Sequence, residues 1–155
     1  DVDTAIERMG ARENIMGASH HIYDVLGRWD DHIDTWVNAD GLAVHLVRYE
    51  DLLTKPGPTM RKLLQQFLRV RVDAPKLAYA IKSTSFEAMR QQEERLGFAE
   101  RPAGMAQFFA KGQAGAWRED MTAAQVARVR ELFLPTIERW YPELVKETAE
   151  FAAQA

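Results

Sequence analysis

The chain has 155 residues, 46% hydrophobic and 28% charged, with 20 basic against 23 acidic side chains and no cysteine. That length fits one domain able to bury roughly two-thirds of its unfolded surface, and the near-average composition excludes intrinsic disorder and collagen-like repeats. No apolar run approaches the roughly 20 residues that cross a bilayer, so no membrane partner is expected. The absence of cysteine excludes disulfides, thiolate metal sites and Cys nucleophiles, and agrees with a reducing compartment. A net charge of −3 argues against duplex nucleic acid as the main partner.

Hydrophobic periodicity predicts a mainly helical chain with one strand. Thr4 and Glu7 have capping-box spacing ahead of a short helix over 5–9 that Gly10 stops. From Ser19 to Val37, residues Ile22, Val25, Leu26, Trp29, Ile33, Trp36 and Val37 recur at helical spacing and predict one helix with a core-facing side. Asn38-Ala39-Asp40-Gly41 is a turn, and the β-formers of Leu42 to Tyr49 predict the strand. A lone strand cannot satisfy its own backbone groups, so it requires a partner.

After Pro56-Gly57-Pro58, residues Met60, Leu63, Leu64, Phe67 and Leu68 mark an amphipathic helix. Asp73 caps a helix with Pro75 in its first turn, running to about Lys82. Thr84 and Glu87 open another that Gly97 closes. From 97 to 121 periodicity collapses into a glycine-rich stretch with Phe108, Phe109 and Trp117, aromatics expected to be buried. Thr122-x-x-Gln125 restarts a helix that Pro135 kinks or ends, and Ile137, Trp140 and Tyr141 continue its apolar side.

Three segments carry candidate chemistry. In Phe108-Phe109-Ala110-Lys111-Gly112-Gln113-Ala114-Gly115-Ala116-Trp117-Arg118, glycines allow backbone N–H groups to face an anion, and Lys111 adds a point charge. Without a Walker A pattern this is no standard triphosphate cradle; a solvated glycine loop pinned by Trp117 is the plain alternative. Ser83-Thr84-Ser85-Phe86 places hydroxyls at a helix start, where free N–H donors and the positive dipole end suit a polar ligand, or where they merely cap. Arg48-Tyr49-Glu50-Asp51 lies at the carboxyl end of the strand, where open α/β sheets bind ligands. His32, between Trp29 and Trp36 on the apolar stripe, reads as a satisfied core histidine ahead of a catalyst. His20, His21 and His45 assemble nothing, and no metal-ligand spacing is present, so no metal is expected.

Taken in order, these pieces resemble the C-terminal half of a sulfotransferase of the family that uses 3′-phosphoadenosine 5′-phosphosulfate (PAPS). Trp29-x-x-His32-x-x-x-Trp36 resembles the helix before the family's middle strand, and Val47-Arg48-Tyr49-Glu50-Asp51-Leu52 its Tyr-Glu-Asp-Leu segment. Thr84-Ser85-Phe86-x-x-Met89 is similar to its Thr-Ser-Phe-x-x-Met helix start, and Lys111-Gly112-x-x-Gly115-x-Trp117-Arg118 to its Arg-Lys-Gly-x-x-Gly-Asp-Trp-Lys loop. The resemblance runs from about Gly27 onward. It implies an α/β fold, the C-terminal part of a P-loop-type parallel sheet, with residues 1–155 as the C-terminal portion of a single sulfotransferase domain.

The resemblance further implies that Tyr49 lies near the adenine, that Thr84, Ser85 and Phe86 hold adenine and ribose with Met89 behind, and that Phe109, Lys111 and Gly112 approach the 3′-phosphate. Trp29, His32 and Trp36 would face the acceptor pocket. The implied reaction is cytoplasmic sulfuryl transfer from PAPS to a small-molecule hydroxyl or amine, releasing 3′,5′-ADP. Ala110 stands where the family has arginine and Ala116 where it has aspartate, so nucleotide affinity below the family norm is expected. The family's Lys-Ser-Gly-Thr-type loop for the 5′-phosphosulfate is not in this sequence, nor is its catalytic base. The chain opens at Asp1 with no Met, so these groups are expected upstream and the chain alone is expected to be inactive. A non-catalytic helical interaction module is the main alternative, and a related P-loop nucleotide kinase fragment the second.

Overall fold

A computed structural model describes residues 1–13, 15–16, 24–102 and 104–154. They fall into two units, Asp1–Val44 with Trp117–Ala155, and His45–Ala116.

In the first unit, α1 (Val2–Gly10) is capped by Asp1, whose carboxylate accepts from Thr4 N–H at 2.8 Å. The expected cap, Thr4, is therefore one turn inside the helix. Two short strands, β1 (Ile15–Met16) and β2 (Asp24–Val25), pair antiparallel. The single helix expected over 19–37 is thus corrected. Part of it lies outside the described residues, Asp24 and Val25 are extended, and Gly27 turns the chain at φ +63°. A backbone in the left-handed region breaks the helical ladder, so α2 runs only over Trp29–Val37. Trp29, Ile33 and Val37 are half-buried while His32 and Trp36 are exposed, so His32 is not a core histidine.

Thr122 and Gln125 form the expected capping box, each side chain accepting from the other's backbone N–H, and open α8 (Ala123–Trp140). Pro135 bends this helix without ending it. The distortion falls at Phe133 (φ −133°, ψ 15°), within the turn that the proline ring and its missing N–H disrupt. Phe133 is fully buried and, with Ile6, Val126 and Ile137, makes the apolar centre of this unit. Trp29 meets Phe133 edge-on at 5.3 Å. Arg28 locks the assembly: it grips Asp30 through two N–H groups and donates to the carbonyls of Gly10 and Leu132 at 3.0 and 3.1 Å. A final helix, α9 (Leu144–Ala152), which periodicity did not announce, packs on α8, and Arg130 joins them by donating to Val145 O and Thr148 Oγ1.

The expected strand over 42–49, which runs from the end of the first unit's opening segment into the second unit, is not formed. The backbone from 42 to 48 carries no regular element, and among the described residues no other segment pairs with it. β-Formers make extended backbone favourable, but a strand exists only as part of a ladder. Tyr49 instead begins α3 (Tyr49–Thr54), followed by α4 (Pro56–Lys62) with Pro56 at its first position and a π-helical turn over Leu63–Phe67. Asp73 caps α5 (Ala74–Ser83) as expected, accepting from Lys76 N–H at 3.0 Å. The next cap is Ser85, which accepts from Ala88 N–H, and not Thr84; α6 spans Phe86–Leu96 and ends at Gly97, φ +74°. The described residues between 97 and 116 carry no regular element, and the short α7 (Trp117–Asp120) opens the return to the first unit.

Candidate functional site

Within residues 45–116 the three candidate segments converge. A cavity of about 420 Å³, inside the size range of small-ligand pockets, has Tyr49 and Leu53 of α3 on one side and Thr84, Phe86 and Met89 at the start of α6 on another. Residues 108–112 of the glycine loop complete it. Of the residues singled out from sequence, Tyr49, Thr84, Phe86, Met89, Phe109, Lys111 and Gly112 all line this space. Ser85 does not: its hydroxyl is engaged in capping α6.

The groups have complementary characters. Phe86, Phe109, Tyr49 and Met89 offer flat or pliable apolar surface, and Phe86 and Phe109 meet edge-on at 6.3 Å. The Thr84 hydroxyl donates to Ala80 O at 2.8 Å, which leaves its lone pairs to accept from a ligand. Lys111 is the one charged side chain among the described lining residues. Gly112 (φ +59°) lies so close to Phe86 that a Cβ there would sit 2.2 Å from the ring, so both its conformation and its neighbour require glycine. An aromatic face beside a backbone turn and an ammonium suits a planar base next to an anion.

The loop is tied to α6 by Glu93, which sequence reasoning missed. Its carboxylate accepts from Phe108 N–H at 2.7 Å and Phe109 N–H at 2.9 Å, and Arg101 lies 3.7 Å away. The side chain is 2% exposed. Burial pushes this carboxyl up, but the two backbone N–H groups and the charges of Arg101 and Arg90 outweigh it and hold the group below the usual carboxylate range. A signal was present: Phe86, Met89 and Glu93 share one helical stripe, and a carboxylate on an apolar stripe needs donors. Phe98 packs against Phe108 and Phe109 at 4.7 and 5.2 Å, also unforeseen. The expected burial of the loop aromatics is corrected in one case: Phe108 is exposed, Phe109 and Trp117 half-buried.

The remaining candidates lie in the first unit. Trp29 and His32 line a smaller, apolar cavity of about 160 Å³ with Met9, Leu26, Gly27 and Arg28. Trp36 is not part of its lining; it stands 6.5 Å from His32, ring to ring. Trp117 packs edge-on against Phe151, and Arg118 bonds Glu147 and stacks over Trp117, which commits its guanidinium to α9. Among the described residues no group of three or more His, Asp or Glu side chains is arranged to hold a metal ion, and no helix is long and apolar enough to cross a membrane.

One cavity is thus bounded by residues of the Tyr49-Glu50-Asp51-Leu52 segment, the Thr84-Ser85-Phe86 helix start and the Lys111-Gly112 loop. The family model described as "Sulfotransferase domain" matches residues 4–148, and the chain belongs to the sulfotransferase family. Membership implies the P-loop-type α/β fold for the domain, whereas the chain itself is mainly helical. Sulfotransferase 1C2 of Homo sapiens is 29% identical over 114 residues, covering 70% of this chain and 38% of the relative. Sulfotransferase 2A1 of Homo sapiens is 30% identical over 111 residues, covering 69% and 39%. Sulfotransferase 1C2 of Oryctolagus cuniculus is 27% identical over 117 residues, covering 72% and 39%. The chain therefore spans about two-fifths of the length of the curated relatives it matches. No solved structure matches.

Proposed function

We propose that the chain is the C-terminal portion of a sulfotransferase domain and that its larger cavity receives the 3′-phosphoadenosine end of PAPS. The observation that carries this reading is the convergence of three segments, separated by up to some sixty residues in sequence, on one cavity of about 420 Å³. Tyr49, Phe86 and Met89 would sandwich the adenine, Thr84 would accept from its amino group, and Phe109, Gly112 and Lys111 would take ribose and 3′-phosphate. Ser85 contributes by holding the start of α6, whose positive dipole end favours the anion. Trp29 and His32 would face the acceptor, a small-molecule hydroxyl or amine, with Trp36 at the margin. The whole domain would move the sulfuryl group in line from the 5′-phosphate oxygen to the acceptor oxygen or nitrogen. The acceptor proton goes to a base and 3′,5′-ADP leaves. Positioning and stabilisation of the leaving phosphate dominate such a step. A cytoplasmic setting belongs to the same proposal, in keeping with a chain free of cysteine.

Calorimetric titration with 3′,5′-ADP tests the reading. Binding is expected, weakened about tenfold to a hundredfold by Lys111→Ala, the range of a lost charge-assisted hydrogen bond of roughly 1.5–3 kcal/mol. Binding indifferent to both Lys111→Ala and Phe86→Ala, or no binding, would favour a helical interaction module instead.

A further inference from the structure

The nucleotide-facing residues of the loop cannot hold their own position. The described residues between 97 and 116 contain no helix or strand, yet Phe109, Lys111 and Gly112 must sit within one wall of a cavity whose other wall belongs to α6. Two kinds of contact are available to fix them. The aromatic cluster of Phe98, Phe108 and Phe109 is apolar and adaptable, with ring centroids 4.7 to 5.2 Å apart. Such packing limits distance but tolerates sliding and rotation. The Glu93 carboxylate is directional: two adjacent backbone N–H groups donate to its two oxygens, one each, at 2.7 and 2.9 Å. A bidentate, charge-assisted pair fixes both the height and the orientation of the peptide planes it holds. Those planes lie immediately before Ala110 and Lys111. Ala110 N–H then closes on Phe108 O at 3.0 Å, which carries the imposed direction forward to the lysine.

We propose that Glu93 is the positioning residue of the loop: by clamping the N–H groups of Phe108 and Phe109 to α6, it seats Lys111 and Gly112 against Phe86 and so sets the affinity of the cavity for its anionic ligand. This rests on the nucleotide reading above for the identity of that ligand, but not for the clamp. The helix geometry supports it. Phe86 and Glu93 are seven residues apart on α6, two turns, hence on one face. One helix therefore presents both the ring that Gly112 touches and the carboxylate that holds the preceding peptides. The charged groups facing Glu93 are Arg101 of the loop, 3.7 Å away, and Arg90 of its own helix. Both favour the carboxylate, so the clamp is set throughout the neutral range and works as a fixed anchor.

The test uses the full chain with Glu93→Ala, Glu93→Gln and, as control, the exposed neighbour Glu94→Gln. The probes are the amide proton signals and exchange rates of Phe108 and Phe109, read by NMR without ligand, and titration with 3′,5′-ADP. In the wild type the two amide protons should lie downfield, as expected for carboxylate-bound N–H groups. Glu93→Ala should move them upfield, speed their exchange, and raise Kd for 3′,5′-ADP roughly tenfold or more. Glu93→Gln keeps one accepting oxygen and the same shape, so it should fall between; Glu94→Gln should match the wild type. Unchanged loop amides in both Glu93 variants would overturn the clamp. Released amides with unchanged affinity would overturn its role in positioning. If Glu93→Ala does not fold, Glu93→Gln decides both points. A wild-type chain that ignores 3′,5′-ADP sinks the nucleotide reading, and the amide signals then decide the clamp alone.

Discussion

Gly112 is where conformation and contact are most tightly coupled. Its φ of +59° lies in the left-handed region, and its α-carbon faces the Phe86 ring so closely that a methyl would meet three ring atoms within 2.5 Å. Gly112→Ala therefore carries two separable costs: roughly 1–2 kcal/mol for the backbone, and a clash that only displacement of Phe86 or the loop relieves. In Phe86→Ala the second cost vanishes and the first remains. The double variant Gly112→Ala/Phe86→Ala is accordingly expected to lose less 3′,5′-ADP affinity than the sum of the single losses, with a coupling of about 0.5–3 kcal/mol in a calorimetric cycle. Strict additivity would mean that the ring and the glycine do not share the site. Sequence revealed Gly112 and Phe86 separately, each by its motif, but not their contact. Two residues 26 positions apart carry no local signal of proximity. For Glu93 the apolar stripe signalled a need for donors, but those donors are backbone N–H groups, which residue type does not identify.

The helices show which local rules the sequence states openly. Thr122-x-x-Gln125 and Asp73 were legible because a cap is satisfied within its own turn. Removing the Thr122 hydroxyl takes the acceptor from the Gln125 N–H, so Thr122→Ala should lower unfolding free energy by about 1 kcal/mol in urea melts. Where two caps compete locally, as Asp1 against Thr4 and Ser85 against Thr84, spacing alone chose the neighbour. The start of α2 depended on something farther away. Arg28 gathers Asp30, Gly10 O and Leu132 O, and the side-chain hydrogen bonds from Arg28 hold the Asp30 carboxyl below its ordinary value despite partial burial. A lowered carboxyl pKa stabilises the fold above its unfolded value and loses that stabilisation as pH falls through the folded one. Thermal melts of the chain should therefore fall in Tm on acidification below the ordinary aspartate range. Asp30→Asn should start from a lower Tm at neutral pH and show a shallower acid limb. An unchanged limb would assign the acid loss to other carboxylates, Glu7 beside Arg128 first among them.

For its length the chain buries little. Its buried apolar side chains among the described residues are Ile6, Leu77, Val126, Phe133 and Ile137, and only Leu77 of these belongs to residues 45–116. Meanwhile Leu42, Val44 and Leu46 are exposed by 61%, 40% and 50%. The same segment carries the β-formers that predict a strand, which it does not form here. A preference for extended backbone is local and legible in residue type, whereas a strand needs a ladder, and among the described residues no segment pairs with 42–48. On the proposed reading the isolated chain should bind 3′,5′-ADP yet transfer no sulfuryl group from PAPS to a phenol, since the Lys111 ammonium and the Thr84 and Tyr49 hydroxyls of the cavity would hold the nucleotide without activating an acceptor. Placing lysine at two exposed positions, Leu42→Lys with Leu46→Lys, should leave the urea unfolding free energy of the chain within about 0.5 kcal/mol, as for surface substitutions. It should also lower self-association in sedimentation, because exposed apolar side chains favour association. A loss of several kcal/mol would show that these side chains are packed within the chain and not exposed.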